Sequence, residues 1–427
     1  MQRDNRVIVR GSGFYLVDDK GRRYLDGTAS MWCNVWGHGN NPVVEAMRTQ
    51  LRELQHSTLF GLASKPSTLL GETLVNLAKG MERVFYTDNG STAIEAALKM
   101  ALQYWRNKEK RDKKEFVSLR NGYHGDTIGA MSVGYIERFF GAYRPLLASR
   151  VHRIPSPLLY HSNFRNTKEL AEWCLEQAES LLRKRRHQCA ALVMESGAQI
   201  AGGAIIYPPG FQRELSKLCS KNDVLLILDE IATGFGRLGN MIEYRSQGSV
   251  PDIVCFGKAL TAGYFPLAVT MTSDRIFNSF LGDYSENKQF YHGHTFTGHP
   301  VGCAAALANI RLYKRRNLIR NIKGNSNYIA SRLKEFEKSA IVADIRHKGM
   351  LGGIELARKG RRIQFLQDGE RVNYFIMRRS LEMGVHLRPL GNIMMITPPL
   401  AIDRKNLGTL LDVQLDILRE IERNVTT

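Results

Sequence analysis

The period of the apolar positions changes several times along the chain, and each change predicts an element. Residues 13–18 and 20–26 are short runs rich in aromatic and aliphatic side chains around Asp19-Lys20-Gly21, which predicts two short strands joined by a turn. Beyond Thr87-Asp88-Asn89-Gly90, the residues Ala93, Ile94, Ala97, Leu98, Ala101, Leu102 and Trp105 recur at helical spacing on one face. Thr92 and Glu95, three apart at its start, predict a capping box. Apolar runs of strand length follow at 190–194, 224–228 and 253–256, with an amphipathic, helix-like stretch at 211–220. From Asn309 the pattern reads helix, strand, helix, and Ile393–Ile396 is a further strand ahead of Pro398-Pro399. No internal repeat or low-complexity stretch is present. Strands alternating with helices predict an α/β fold, a mostly parallel sheet flanked by helices, with a smaller α+β part at the chain ends.

Composition narrows the class. A chain of 427 residues holds two or three folding units and can bury a large core. Its 43% hydrophobic and 24% charged residues argue against a disordered chain. No run approaches the roughly 18 apolar residues that span a bilayer. The first thirty residues hold no apolar secretion-signal core, so a soluble, cytoplasmic protein is expected. The six cysteines, Cys33, Cys174, Cys189, Cys219, Cys255 and Cys303, show no Cys-x-x-Cys spacing. Reduced, mostly buried thiols are therefore expected, rather than disulfides or a structural zinc site. Sixty Lys and Arg against 41 Asp and Glu leave a net charge of +19, clustered at 106–114, 183–187 and 358–362. Such runs can face nucleic acid or anionic membranes. Here no aromatic residues interleave with them and no DNA-binding motif accompanies them, so solvated helix ends and loops are expected.

Three features carry chemistry. The apolar run 224–228 leads straight into Asp229-Glu230, which places carboxylates at the carboxyl edge of the predicted sheet, where open α/β folds bind ligands. A metal at that edge would need further ligands, and nearby sequence offers only Glu230. Lys258 follows the strand 253–256; a partly buried lysine there loses its proton more readily, and its neutral amine can condense with a carbonyl. Asp88-Asn89-Gly90-Ser91-Thr92 forms a tight turn with backbone N–H groups at a helix N-terminus, a geometry suited to phosphate. A phosphate cradle, a strand-end Asp and a strand-end Lys are the parts that a pyridoxal phosphate site requires.

These motifs resemble those of the class III, fold-type I pyridoxal-phosphate aminotransferases over nearly the whole chain. The resemblance rests on Asn89-Gly90-Ser91, Gly122-Tyr123-His124-Gly125-Asp126, the run from Asp229 to Arg237, Lys258-Ala259-Leu260-Thr261-Ala262-Gly263 and His292-Gly293-His294-Thr295-Phe296. It implies a fold-type I architecture with a large cofactor-binding domain at 31–308, and a small domain built from 1–30 and 309–427. It implies pyridoxal 5'-phosphate as cofactor and no metal. Lys258 would carry the cofactor and move the proton between substrate and cofactor carbons, and Asp229 would pair with the ring nitrogen. Tyr123 would stack on the ring and touch substrate, and Gln199 would approach the ring oxygen. Asn89, Gly90 and Ser91 would hold the phosphate, while His294 and Thr295 would reach the cofactor phosphate of a second subunit, which makes the protein a homodimer. Trp32 and Gly293 would line the substrate pocket. Arg388 would bind a substrate carboxylate, for which its planar fork is suited.

Within the family, Asn121 to Val133 and Arg388-Pro389-Leu390 resemble the branch that converts 8-amino-7-oxononanoate to 7,8-diaminononanoate in biotin synthesis, with S-adenosylmethionine as amino donor. Four departures bear on that donor. The branch's upstream His-Pro-Tyr segment has no counterpart here, so either the native start lies before Met1 or donor recognition differs. Met31-Trp32 stands where a tryptophan pair is usual, His294 where proline is common, and Leu390 where an aromatic can sit. Lysine is the alternative donor. The rival functions are a class III enzyme using lysine, ornithine or an ω-amino acid with an oxo acid, and a basic nucleic-acid-binding protein on an inactive aminotransferase fold.

Overall fold

The computed structural model describes residues 6–148, 150–160 and 162–426. The chain forms two compact units. One takes the residues to Glu45, Gly236–Gly239 and the chain from Arg311 on; the other takes Ala46–Phe235 and Asn240–Ile310.

The larger unit is built on seven strands: β1 (Arg83–Thr87), β2 (Glu115–Leu119), β3 (Val151–Ile154), β4 (Cys189–Glu195), β5 (Leu225–Asp229), β6 (Ile253–Phe256) and β7 (Ala268–Thr272). Their order is β1-β7-β6-β5-β4-β2-β3. All are parallel except β7, which runs antiparallel to both β6 and β1. Strands β4 to β7 are buried at every position, which explains why β4, β5 and β6 read as near-continuous apolar runs rather than alternations. Ala93, Ile94, Ala97 and Trp105 of the helix α1 (Gly90–Asn107) pack in the core with Ala191, Val193, Ile227 and Cys255. The helical face expected from their spacing is thus the buried one.

The start of α1 differs from the expected capping box. Asn89 is the cap: its side chain accepts from the Thr92 N–H, while the Thr92 hydroxyl accepts from the Asn89 N–H, both at 3.2 Å. The helix therefore begins one turn earlier than a Thr92 cap would allow. Glu95 is released for another task. Its Oε1 accepts from the Thr127 hydroxyl at 2.6 Å and from the Gly129 and Ala130 N–H groups at 2.7 and 3.1 Å, satisfying the N-terminus of the helix Ile128–Val133.

The basic runs are not all solvated. Arg183 and Lys184 are exposed at the end of the helix Thr167–Arg185. Lys113 is buried beside the face of Trp105, 4.2 Å from the ring centroid. Its ammonium donates to the carbonyls of Arg186, at 2.7 Å, Cys189 and Asp223. One cation thus satisfies three buried or half-buried carbonyls, a structural role that its place in a charge run concealed. All six cysteines are free, and all but Cys33 are buried.

The smaller unit holds the strands Tyr15–Asp18 and Arg23–Asp26 as an antiparallel pair joined by a turn, as the sequence predicts, with Ile8–Ser12 added on one side. Asp18 closes the turn by accepting from the N–H groups of Lys20 and Arg22. Val385–His386 pairs in parallel with the Leu25–Asp26 end, so segments from both chain ends share one sheet. Directly after Asp26 the backbone enters an unusual turn: Ala29, Ser30, Met31 and Trp32 have φ of 49°, 46°, 71° and 70°. Four successive L-residues in the left-handed region cost about 1–2 kcal/mol each, so this turn persists only because its surroundings hold it.

Lys113→Met keeps the stem over Trp105 and removes the ammonium. We expect about 2–3 kcal/mol of destabilisation from the stranded carbonyls, seen as a lower thermal midpoint. Arg183→Ala, on an exposed surface, should leave the midpoint in place; equal midpoints for all three proteins would contradict this account of Lys113.

Candidate active site

The parallel strands end at a common edge, and the chemistry-bearing residues of the larger unit collect there. Asp229 ends β5, and Glu195 ends its neighbour β4 in register with it. The loop after β2 brings Tyr123 and His124, and Thr87 at the end of β1 leads into Asp88, Asn89 and α1. Lys258 lies two residues beyond the end of β6 and is partly buried.

Asp229 is buried and fixed by two donors. Its Oδ2 lies 2.8 Å from His124 Nδ1, and its Oδ1 accepts from the Ile231 N–H at 2.9 Å. An ionised Asp229 makes Nδ1 of His124 the proton-bearing nitrogen. Glu195 accepts from the N–H groups of Tyr123, at 3.2 Å, and Ile200, at 3.0 Å. Burial pushes its carboxyl up to about 7; His124 pulls it down and Asp229 pushes it further up. Glu230 is pushed up to about 8, again by burial, and the N–H groups of Glu243 and Tyr244 work against that rise. The edge therefore holds one carboxylate braced by a histidine and two that favour their protonated forms near neutrality.

The helix N-terminus is packed for close approach. A Cβ on Gly90 would lie 2.7 Å from the Ile231 side chain, so only glycine lets the turn sit against the segment that follows Asp229. Gly125, at φ 127°, passes over Ser91, whose hydroxyl accepts from the Asp126 N–H at 3.2 Å. Lys258 has φ 46°, and the turn it opens is pinned by Asn309, whose amide donates to the carbonyls of Ala259 and Leu260 at 2.7 and 2.9 Å. Tyr123 is half-buried and stacks on Phe140, ring centroids 6.0 Å apart. The Gln199 amide nitrogen donates to the Arg120 carbonyl at 2.8 Å, while its Oε1 is buried without a partner among the described residues.

Gly293 and Thr295 are exposed, and a Cβ on Gly293 would meet Phe60 at 2.4 Å. The His294 N–H donates to the Thr297 hydroxyl at 2.9 Å, and His294 Nε2 has no partner in the described residues. In the smaller unit, Trp32 is buried at the end of the left-handed turn. Arg388 is exposed there, and its Nη1 donates to Met31 Sδ at 2.8 Å.

Sequence reading missed the partners rather than the principals. His124 stood in a quoted motif without a role, and its place between Gly122 and Gly125 was the only signal. Glu195 was visible as the end of an apolar run like that of Asp229. Asn309 gave no signal, since it acts on a turn distant in sequence, and Asp26 gave none, since the left-handed turn it holds contains no glycine to mark it.

The profile of the family described as aminotransferase class-III matches residues 1–418. This chain belongs to the class-III aminotransferases. The aminotransferase is 40% identical, over 99% of its length and 94% of the relative's, to an adenosylmethionine-8-amino-7-oxononanoate aminotransferase of Aquifex aeolicus. The crystal structure of the enzyme of that name from Methanocaldococcus jannaschii matches with a TM-score of 0.91 at 38% identity, covering 98% of this chain and 94% of that one. A PLP-bound amine transaminase from an uncultivated Pseudomonas species matches with a TM-score of 0.91 at 33% identity, covering 98% and 95%. The cofactor of this aminotransferase is pyridoxal 5'-phosphate, and the site fits it: a helix N-terminus that glycine at position 90 lets approach Ile231, a braced carboxylate and a lysine at one sheet edge.

The raised pKa of Glu195 has a stability consequence. Folded, the carboxyl keeps a proton that the unfolded chain releases near 4.5, so its contribution is full below 4.5 and is lost as pH rises through about 7. Glu195→Gln should remove that loss. In the cofactor-free protein, the thermal midpoint of the wild type should fall relative to the variant between pH 5 and 8; parallel profiles would contradict the shift.

Proposed function

We propose that this aminotransferase converts 8-amino-7-oxononanoate to 7,8-diaminononanoate, a step of biotin synthesis, in the cytoplasm, taking the amino group from S-adenosylmethionine or from lysine. The observation that carries this reading is the 40% identity, over 99% of the chain, to a relative of that name. Pyridoxal phosphate, when bound, supplies a carbonyl that condenses with amines and a ring that accepts electrons from the substrate carbon.

The residues then take the following parts. Asp229, oriented by His124, would pair with the ring nitrogen of the cofactor. Lys258 would hold the cofactor through its amine and would serve as the base that moves the proton during amino transfer. Asn89, Gly90 and Ser91 hold the phosphate through the start of α1, whose dipole favours a negative charge. Tyr123 would hold the cofactor ring, and Gln199 would approach its oxygen. Trp32 and Gly293 line the substrate pocket, and Arg388 pairs with the acceptor carboxylate. Thr295 and His294, on a segment exposed in the single chain, reach the cofactor phosphate of a second copy, so the working form is a homodimer. In this reading the larger domain, 31–308, binds the cofactor, and the small domain, 1–30 with 309–427, carries Arg388.

A second reading is a class III amine transaminase with another donor and acceptor. It is favoured by Met31, where the diaminononanoate branch has a second tryptophan, and by the 33% identity to the Pseudomonas amine transaminase.

Donor and acceptor sites separate by kinetics. Lys258→Ala should leave the protein folded and able to bind cofactor while amino transfer is lost; retained turnover would exclude its role. Arg388→Ala should raise the KM for 8-amino-7-oxononanoate by about tenfold or more, the loss of a charge-assisted pair, with a smaller change in the donor KM. Equal effects on the two substrates would favour the second reading.

A further inference from the structure

The left-handed turn at Ala29–Trp32 lies between two residues that the proposed function uses and one buried acid that it does not. Asp26 ends the strand Arg23–Asp26 and is wholly buried. Its Oδ1 accepts from the Ser30 N–H at 2.9 Å and the Thr28 hydroxyl at 3.2 Å. Its Oδ2 accepts from the Ser30 hydroxyl at 2.6 Å and faces His38 Nε2 at 3.2 Å. Four groups thus converge on one carboxylate, and two of them belong to Ser30, a residue inside the turn with φ 46°.

The turn is closed further on by the Trp32 N–H to the Thr28 carbonyl at 2.8 Å, and by the Cys33 and Asn34 N–H groups to the Ala29 carbonyl at 2.9 and 2.8 Å. Every carbonyl in that set precedes or begins the turn; inside it, the Cys33 thiol donates to the Ser30 carbonyl at 2.9 Å, and the carboxylate of Asp26 holds both the N–H and the hydroxyl of Ser30. Thr28 continues the network to His386 Nδ1 at 3.3 Å, two residues before Arg388. At the other end, Met31 meets Arg388 through its sulfur. The strand edge, the turn and the Arg388 segment are therefore tied at two points, with Asp26 beneath both.

We infer that Asp26 is a positioning residue for the acceptor end of the substrate pocket: by clamping Ser30 it holds Ala29–Trp32 left-handed, and so sets where Trp32 and the Met31–Arg388 pair stand. The inference rests on the proposed acceptor roles of Trp32 and Arg388. Asp26 touches no reacting atom; it acts through the turn. The substitution that discriminates is Asp26→Asn, which keeps the shape, removes the charge and offers Ser30 and His38 one fewer acceptor oxygen.

Two readouts test this on the cofactor-loaded protein. Hydrogen exchange of the Trp32, Cys33 and Asn34 amides should speed up about tenfold or more in Asp26→Asn, with the amides of β5 unmoved. The KM for 8-amino-7-oxononanoate should rise about tenfold, more than the donor KM. Adding Ser30→Gly, which tolerates a left-handed φ without the clamp, should recover most of that KM. A general packing defect would not be rescued in this way. Unchanged exchange in Asp26→Asn overturns the clamp, and faster exchange with an unmoved acceptor KM overturns the positioning role. Absent rescue by glycine also overturns it. A wild-type protein that does not turn over this acceptor refutes the proposed function instead, and is distinguished by its exchange data, which still report on the clamp. If Asp26→Asn fails to fold, Ser30→Ala, which removes one of the four hydrogen bonds, gives the same exchange readout on a smaller scale.

Discussion

The carboxyl edge of the sheet depends on one buried side chain that stays in place, and Asp229 is held there by two hydrogen bonds. The His124 imidazole and the Ile231 N–H hold its oxygens from two sides, and β5 beneath it is buried along its whole length. Glu195, one strand away in register, accepts from two backbone N–H groups, and burial pushes its carboxyl up to about 7. The rest of the edge is arranged around Asp229. Ile231, which bonds Asp229, is also the surface against which Gly90 brings the start of α1. Lys258 enters from the next strand on a turn pinned by Asn309.

The smaller unit solves a different problem. Here the polar side chains hold a backbone conformation rather than a charge. The left-handed turn after Asp26 costs about 1–2 kcal/mol per residue, and hydrogen bonds to a charged, buried group return about 1.5–3 kcal/mol each. Burial raises the pKa of Asp26, while the His38 and Ser30 hydrogen bonds and the His38 charge outweigh that effect and leave it lowered. The acid therefore remains an acceptor at neutral pH. Strain of this kind gathers at functional sites because a side chain placed by an over-determined backbone has few alternatives.

The fold was legible where burial and period coincide. The strands β4 to β6 and the face of α1 are written in apolar residues at strand and helix spacing, and strand ends are where open sheets bind ligands, so Asp229 and Lys258 could be singled out from position. What the sequence concealed was pairing across distance. Glu95 has the spacing of a capping residue for its own helix, yet it caps another, because Asn89 is the better-placed partner of Thr92. Lys113 looks like one more charge in a basic run, and only the fold shows three carbonyls converging on it. Four left-handed residues without a glycine among them leave no trace in composition at all.

The most direct measurement of the central claim is the mass of the product. Cofactor-loaded protein would be incubated with 8-amino-7-oxononanoate and an amino donor labelled with ¹⁵N at the transferred nitrogen, adenosylmethionine and lysine in separate reactions. The account predicts 7,8-diaminononanoate carrying one ¹⁵N from one of the two donors. Cofactor that accepts nitrogen from a donor while the oxononanoate remains unaminated would contradict it.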